Sequence, residues 1–127
     1  MKEQDLVSAI KEHDWKQSWL DFSVFLYDRE RLIIVGSNDL SYYHTLEIII
    51  ESPSFVQGIL DWPCDVNHDF IKISKDNLED EFIINFYSDD EFTFKAIGKH
   101  ISINFDTVFY YKRENLKPGE RLAYFIK

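Results

Sequence analysis

Residues 101 to 111 read ISINFDTVFYY, and in them Ile101, Ile103, Phe105, Phe109 and Tyr111 alternate with Ser102, Asn104, Asp106 and Tyr110. A period of two sends successive side chains to opposite faces of an extended chain, so this stretch reads as a strand with one face against a core. The same period recurs on the N-terminal side. Phe92, Phe94 and Ala96 form one set, and Phe82, Ile84 and Phe86 alternate with Ile83, Asn85 and Tyr87. Residues 70–74 (FIKIS) make another strand, separated from residues 82–87 by the charged turn KDNLED, and Ser88-Asp89-Asp90-Glu91 makes the next turn. Further back, Phe22, Val24 and Leu26 alternate with Ser23, Phe25 and Tyr27, and the turn Asp28-Arg29-Glu30 joins them to residues 31–36 as a hairpin. A strand over residues 43–51 follows a polar break at 37–39, and Ser52-Pro53 turns the chain into residues 54–59.

One segment has helical spacing instead. Leu6, Val7 and Ile10, with Glu3 and Asp5 early and Lys11 late, predict a helix from about residue 3 to 13, polarised as a helix dipole favours. Residues 60–69 (LDWPCDVNHD) have no period and contain a proline, and read as a loop. After Tyr111 the chain turns basic, and Pro118-Gly119 interrupts any long helix. The expected fold is a single α+β domain over residues 1–127, with the N-terminal helix packed on a mainly antiparallel, meander-like sheet of about seven or eight strands. No repeat, low-complexity tract or interdomain linker is present.

The 127 residues are enough for one core, and 45% hydrophobic with 17% aromatic residues is the composition of a packed domain. Cys64, the single cysteine, excludes an intramolecular disulfide framework and suits a reducing compartment. The charged start MKEQDLVSAIKEHDW lacks the apolar stretch of a secretory signal, and no apolar run approaches the roughly 20 residues of a membrane span. A soluble, cytoplasmic protein with no membrane partner is expected. The formal charge is −9, from 14 Lys and Arg against 23 Asp and Glu. Such a balance repels phosphate backbones, so nucleic acid is not an expected ligand. Residues 107–127 carry +3, which leaves −12 on the first 106 residues.

Few residues are arranged for chemistry. In the strand 43–51, His44 shares a face with Leu46, Ile48 and Ile50, while Tyr43, Thr45, Glu47, Ile49 and Glu51 share the other. His44 is therefore expected at the rim of the core, bonded to a backbone carbonyl rather than poised for catalysis. Cys64 and His68, beside Asp65 and Asp69, supply one ligand cluster where structural zinc needs two, so no metal is expected. The glycines at 36, 58, 98 and 119 build no phosphate loop, and no carboxylate pair stands out as catalytic. No cofactor and no catalytic residue are assigned. A small hydrolase or ligand-binding enzyme using His44 with Asp39 or Cys64 is one alternative. A structural or oligomerisation module, built on sheet edges and exposed aromatics, is another.

Acidic residues are distributed unevenly. Alternating strand directions send the turns to two ends of the sheet, and the end with residues 28–30, 51–53, 75–81 and 98–100 mixes both signs. The other end, with residues 37–42, 60–69 and 88–91, holds Asp39, Asp61, Asp65, Asp69, Asp89, Asp90 and Glu91 and no lysine or arginine. Outward Tyr42, Tyr110 and Trp62 are candidate aromatic anchors. The expected partner-binding set is Asp39, Tyr42, Asp61, Trp62, Asp65, Asp89, Asp90 and Glu91, facing a basic protein. The basic segment after Tyr111 leaves the last strand at the same end, where it is placed to neutralise part of the cluster.

The stretches SYYHTLEIII (41–50) and HISINFDTVFYYKRENLKPGERLAYFIK (100–127) resemble small bacterial proteins, and the size, acidity and strand-rich layout are similar to immunity proteins of bacterial polymorphic toxin systems. The resemblance implies a toxin inhibitor that occludes a basic toxin such as a nuclease. It implies no individual site residue. A monomer or weak homodimer is the expected state.

Overall fold

A computed structural model describes residues 3–15 and 17–127. Helix α1 (Glu3–Glu12) buries Leu6 and Ile10, and its acidic first turn and Lys11 in the last turn match its dipole. The strands are β1 (Trp19–Tyr27), β2 (Arg31–Ser37), β3 (Tyr43–His44), β4 (Leu46–Glu51), β5 (Phe55–Gly58) and β6 (Asp61–Asp65), then β7 (Ile71–Asp76), β8 (Glu81–Ser88), β9 (Glu91–Gly98), β10 (His100–Asn104), β11 (Thr107–Phe109) and β12 (Glu120–Leu122). The α+β class with an N-terminal helix and mostly antiparallel pairing is as expected. The strands number twelve among the described residues rather than seven or eight, and they form three sheets rather than one meander. A five-stranded sheet runs β10-β4-β2-β1-β6, a four-stranded sheet β5-β9-β8-β7, and a small sheet β12-β11-β3. Among the described residues, only β11 and β12 pair in parallel.

The main core lies between the two larger sheets and under α1, which rests on β7. Phe22 and Leu20 from β1, Leu32 and Ile34 from β2, and Leu46, Ile48 and Ile50 from β4 meet Ile84, Phe86 and Phe94 of the facing sheet. The aromatic contacts are specific: Trp62 stacks on Phe94 at 4.9 Å, and Phe22 meets Phe86 at 5.3 Å. Gly98 lets β9 approach β4, because a Cβ there would strike the Ile50 side chain and come within 2.9 Å of the Glu51 carbonyl.

Three expected elements are corrected. Residues 61–65 are a strand, not a loop. β6 pairs only with β1, so the N–H that Pro63 lacks would have faced an unpaired edge. The strand over 43–51 breaks at Thr45, and the alternating run 101–111 breaks at Phe105 and Asp106. The two breaks face each other. His44 pairs with Val108 and Glu47 with Asn104, so three residues on one strand oppose two on the other, and the offset reverses the side-chain parity. A second bulge at Phe25 moves β1 from Val24 opposite Ile34 to Leu26 opposite Ile33. Beyond these irregularities the chain leaves the main core and covers the outer face of the five-stranded sheet.

Candidate partner-binding surface

The mixed-charge end assembles as the turn positions predict. Ser52 N donates to Glu30 O, Lys99 N to Glu51 O, and Lys99 Nζ to Glu79 O at 3.1 Å. At the opposite end, Asn38 Nδ2 donates to Trp19 O, Val66 N to Ser18 O, and Ser88 Oγ to Pro63 O. These bonds gather the loop after β2, the start of β1, the end of β6 and the β8–β9 turn. Asp65 pairs with Trp19 at this end. Asp61 does not reach the rim: it faces Ser23, halfway along β1, and lies exposed on the sheet. Asp21, opposite Pro63 and exposed, adds a carboxylate to the same outer face. Its place in the outward set of β1, one residue before Phe22, was a readable signal.

The turn that carries Asp89 and Asp90 is a two-residue hairpin in which both have positive φ, 51° and 66°, with Ser88 opposite Glu91. That is type I′ geometry, which normally selects Asn-Gly. Two aspartates there hold two adjacent charges outward on a short, fixed turn. Among the described residues, none of Asp21, Asp61, Asp89, Asp90 and Glu91 belongs to an ion pair. Asp69 differs, because the Lys11 ammonium bonds to it and holds its carboxyl below the ordinary value. Asp65 lies 3.9 Å from the His68 ring. Asp39 shapes its own loop, its carboxylate accepting from Ser41 N at 3.1 Å and its carbonyl from Tyr42 N and Tyr43 N.

The aromatic anchors need revision. Trp62 is 2% exposed, stacked between Phe22 and Phe94, and cannot touch a partner. The residue belongs to a strand rather than a loop, and the strand period of β6 turns it inward with Cys64. Tyr42 is exposed and meets Tyr111 edge-on at 6.3 Å. Tyr110 is half-buried. The exposed aromatics beside the acids are Trp19, at the start of β1, and Phe92, next to Glu91.

The expected backbone partner of His44 is also corrected. The ring is fully buried, with Nδ1 2.6 Å from Tyr110 Oη and Nε2 2.8 Å from Glu47 Oε2. Glu47, placed by simple alternation on the outward face, is 3% exposed, and its Oε1 accepts from Asn104 Nδ2 and Arg121 Nη2. Burial alone would raise the Glu47 pKa. The bonds from His44 and Asn104 and the charges of Arg121 and His44 outweigh burial and hold it at about 2. A carboxylate only accepts, so His44 Nε2 carries the proton in that bond. Burial, and then the Glu47 charge, push the Tyr110 hydroxyl pKa up. Arg121 Nε also reaches Asp106 Oδ2 at 3.4 Å, and the Arg113 guanidinium lies over the Phe109 ring at 4.2 Å. Arg121 is thus committed to Glu47 and Asp106, whereas Arg113 also donates to Tyr111 Oη and so stands near Tyr42 at the acidic end, in no ion pair among the described residues.

Cys64 is fully buried, with its thiol pushed up to about 12 chiefly by burial. Its sulfur lies 3.4 Å from Tyr87 O. The combinations His44–Asp39 and His44–Cys64 are not assembled: each ring nitrogen of His44 is engaged by another side chain, and Cys64 lies in the main core. No group of three or more metal-ligand side chains occurs among the described residues, and no described helix is long and apolar enough to cross a membrane.

No protein-family model matches the chain, and neither a curated protein sequence nor a solved structure is significantly similar to it.

Proposed function

We propose that this protein binds and inhibits a basic protein, in the manner of an immunity protein that occludes a toxin such as a nuclease. The observation that carries the reading is the set of exposed carboxylates Asp21, Asp61, Asp89, Asp90 and Glu91, which have no counter-charge among the described residues. Mutual repulsion within this set disfavours the isolated fold, and a basic partner relieves it. The type I′ turn supports the same reading, since Asn-Gly would suit its backbone better than the two aspartates it holds. Trp19, 49% exposed and opposite Asp65, takes the anchoring role first given to Trp62.

The test is kinetic, and its first step is an affinity pull-down with this chain that must recover a basic protein; recovery of no protein partner would overturn the reading. Replacing Asp89 and Asp90 by Asn and Glu91 by Gln leaves the fold intact and slows association chiefly at low salt, since rim charges steer over a screening length of roughly 8 Å at physiological ionic strength. Trp19→Ala raises the dissociation rate instead. Association kinetics of the triple variant that match the wild type across a salt series would show these acids to be ordinary solvated surface.

A further inference from the structure

Beside the acidic surface lies a cavity of about 280 Å³, between the segment that follows α1 and the small sheet of β3 and β11. Trp15, Tyr43 and Phe109 supply its aromatic walls. The wall next to α1 is held in place: His13 stacks on Phe105 at 4.1 Å, and Trp15 Nε1 donates to Ile10 O at 2.8 Å. Asp14, Asn38, Thr45 and Thr107 add the polar lining. Three of the nearby donors are already engaged. Thr45 N bonds Gly36 O, Thr107 N bonds Gly119 O, and Asn38 Nδ2 bonds Trp19 O. Among the lining groups, the Asp14 carboxylate and Asn38 Oδ1 only accept, and the hydroxyls of Tyr43, Thr45 and Thr107 accept as well as donate; none has a hydrogen-bond partner among the described residues. No lysine or arginine is among the lining residues.

We infer that this cavity receives the guanidinium of an arginine side chain presented by the basic partner, an inference that rests on the proposed function. A guanidinium is planar, carries five N–H donors and a fixed charge, and stacks on aromatic faces, so it answers the carboxylate, the acceptors and the rings together. A phosphate or carboxylate would face the Asp14 carboxylate, and the Arg113 guanidinium, which lies over the Phe109 ring at 4.2 Å, already donates to Tyr111 Oη. A lysine ammonium supplies charge but no plane to lie against Trp15 or Tyr43. The volume falls at the lower bound of small-molecule pockets, about 300 Å³, and suits one side chain better than a cofactor. Location agrees, since Asn38 adjoins Asp39 and is bonded to Trp19, the strand partner of Asp65.

The experiment is an NMR titration of the isotope-labelled protein with N-acetylarginine amide, its neutral isostere N-acetylcitrulline amide, and N-acetyllysine amide. Arginine amide is expected to shift the Trp15 indole and Thr107 amide signals saturably in the millimolar range. Citrulline amide gives no saturable shift, lysine amide binds more weakly than arginine amide, and Asp14→Asn weakens the arginine response at least fivefold. Equal binding of citrulline amide, or saturable shifts confined to residues away from the cavity, would overturn the assignment, as would a complete absence of saturation. A second measurement separates this inference from the function it rests on. If the variant Asp14→Asn with Thr107→Val binds the basic partner as tightly as wild type while the rim variant does not, the arginine pocket is refuted and the binding reading stands. If arginine amide binds as described but the chain engages no basic protein, the pocket stands and the inhibitor reading falls.

Discussion

Toward the four-stranded sheet, the five-stranded sheet presents Phe22, Leu32, Ile34, Leu46, Ile48 and Ile50, all with no exposed surface. Its other face presents Ile33, Val35 and Glu47, covered by the segment that carries Val108, Phe109, Tyr110, Arg121 and Ala123. The first layer is held by non-directional apolar burial, the second by a buried carboxylate with three polar partners, His44, Asn104 and Arg121, and a rim of aromatic rings. Phe25 shows the contrast within one strand: its bulge sends it out to His44, Tyr110, Tyr124 and Phe125, while Phe22 points in to Phe86. Apolar packing tolerates exchange of similar shapes, whereas a buried charge network fails when one member is removed.

The largest predicted effect breaks the inner layer. Phe86→Ala removes a fully buried ring that contacts Phe22, Trp62 and Phe94, and should lower stability by about 3–5 kcal/mol in denaturant unfolding. Arg121→Ala comes next. It leaves the buried Glu47 carboxylate without its cation, and about 3 kcal/mol of destabilisation is expected. The two variants should differ in kind: the Phe86 change loosens the whole domain, and the Arg121 change first raises hydrogen exchange in β11 and β12.

Acid tests the outer layer through Glu47. The folded pKa of Glu47 is about 2, below its ordinary 4.5, so its stabilisation is present in full above pH 4.5 and is lost as pH falls through 2. The loss is on the order of 3 kcal/mol over that window. Unfolding measured from pH 5 to 2 should show it, and Glu47→Gln should flatten the slope. An unchanged slope in that variant would place the acid sensitivity elsewhere. The smallest effect lies outside both layers: Asp90→Gly relieves a positive φ and one like-charge contact, and should stabilise the domain by about 0.5–1 kcal/mol while weakening partner association.

Period-two patterning made the inner layer legible. Phe22, Ile48, Ile84, Phe86 and Phe94 are all in alternating runs, Ile34 is in the apolar run 32–35, and local turn chemistry marks the β1–β2 hairpin, where the Asp28 carboxylate accepts from Glu30 N and Arg31 N. Strict alternation then failed at the bulges. Glu47 does lie on the face opposite Leu46, Ile48 and Ile50, but that face is covered, and the break at Thr45 turns His44 to Glu47 and Tyr110 instead of a backbone carbonyl, because a one-residue offset between strands leaves no mark in either strand's own composition. The acidic rim was only partly legible. The turns that converge at one end followed from strand direction, but Trp62 was lost from the surface once residues 61–65 proved to be an edge strand.

What the sequence determined by itself is what short-range rules decide: the α+β class, the helix, the apolar face of most strands, the net charge and the turns that carry it. What only the tertiary structure decided is which distant residues meet. Glu47 finds Arg121, 74 positions along the chain, and Lys11 finds Asp69, 58 positions along, because sheet order and bulges bring them together. The physical reason is one of range. Backbone geometry and side-chain period act between neighbours, whereas a buried ion network, a neutralised carboxylate or a cavity wall depends on register between strands, and a shift of one residue changes every partner.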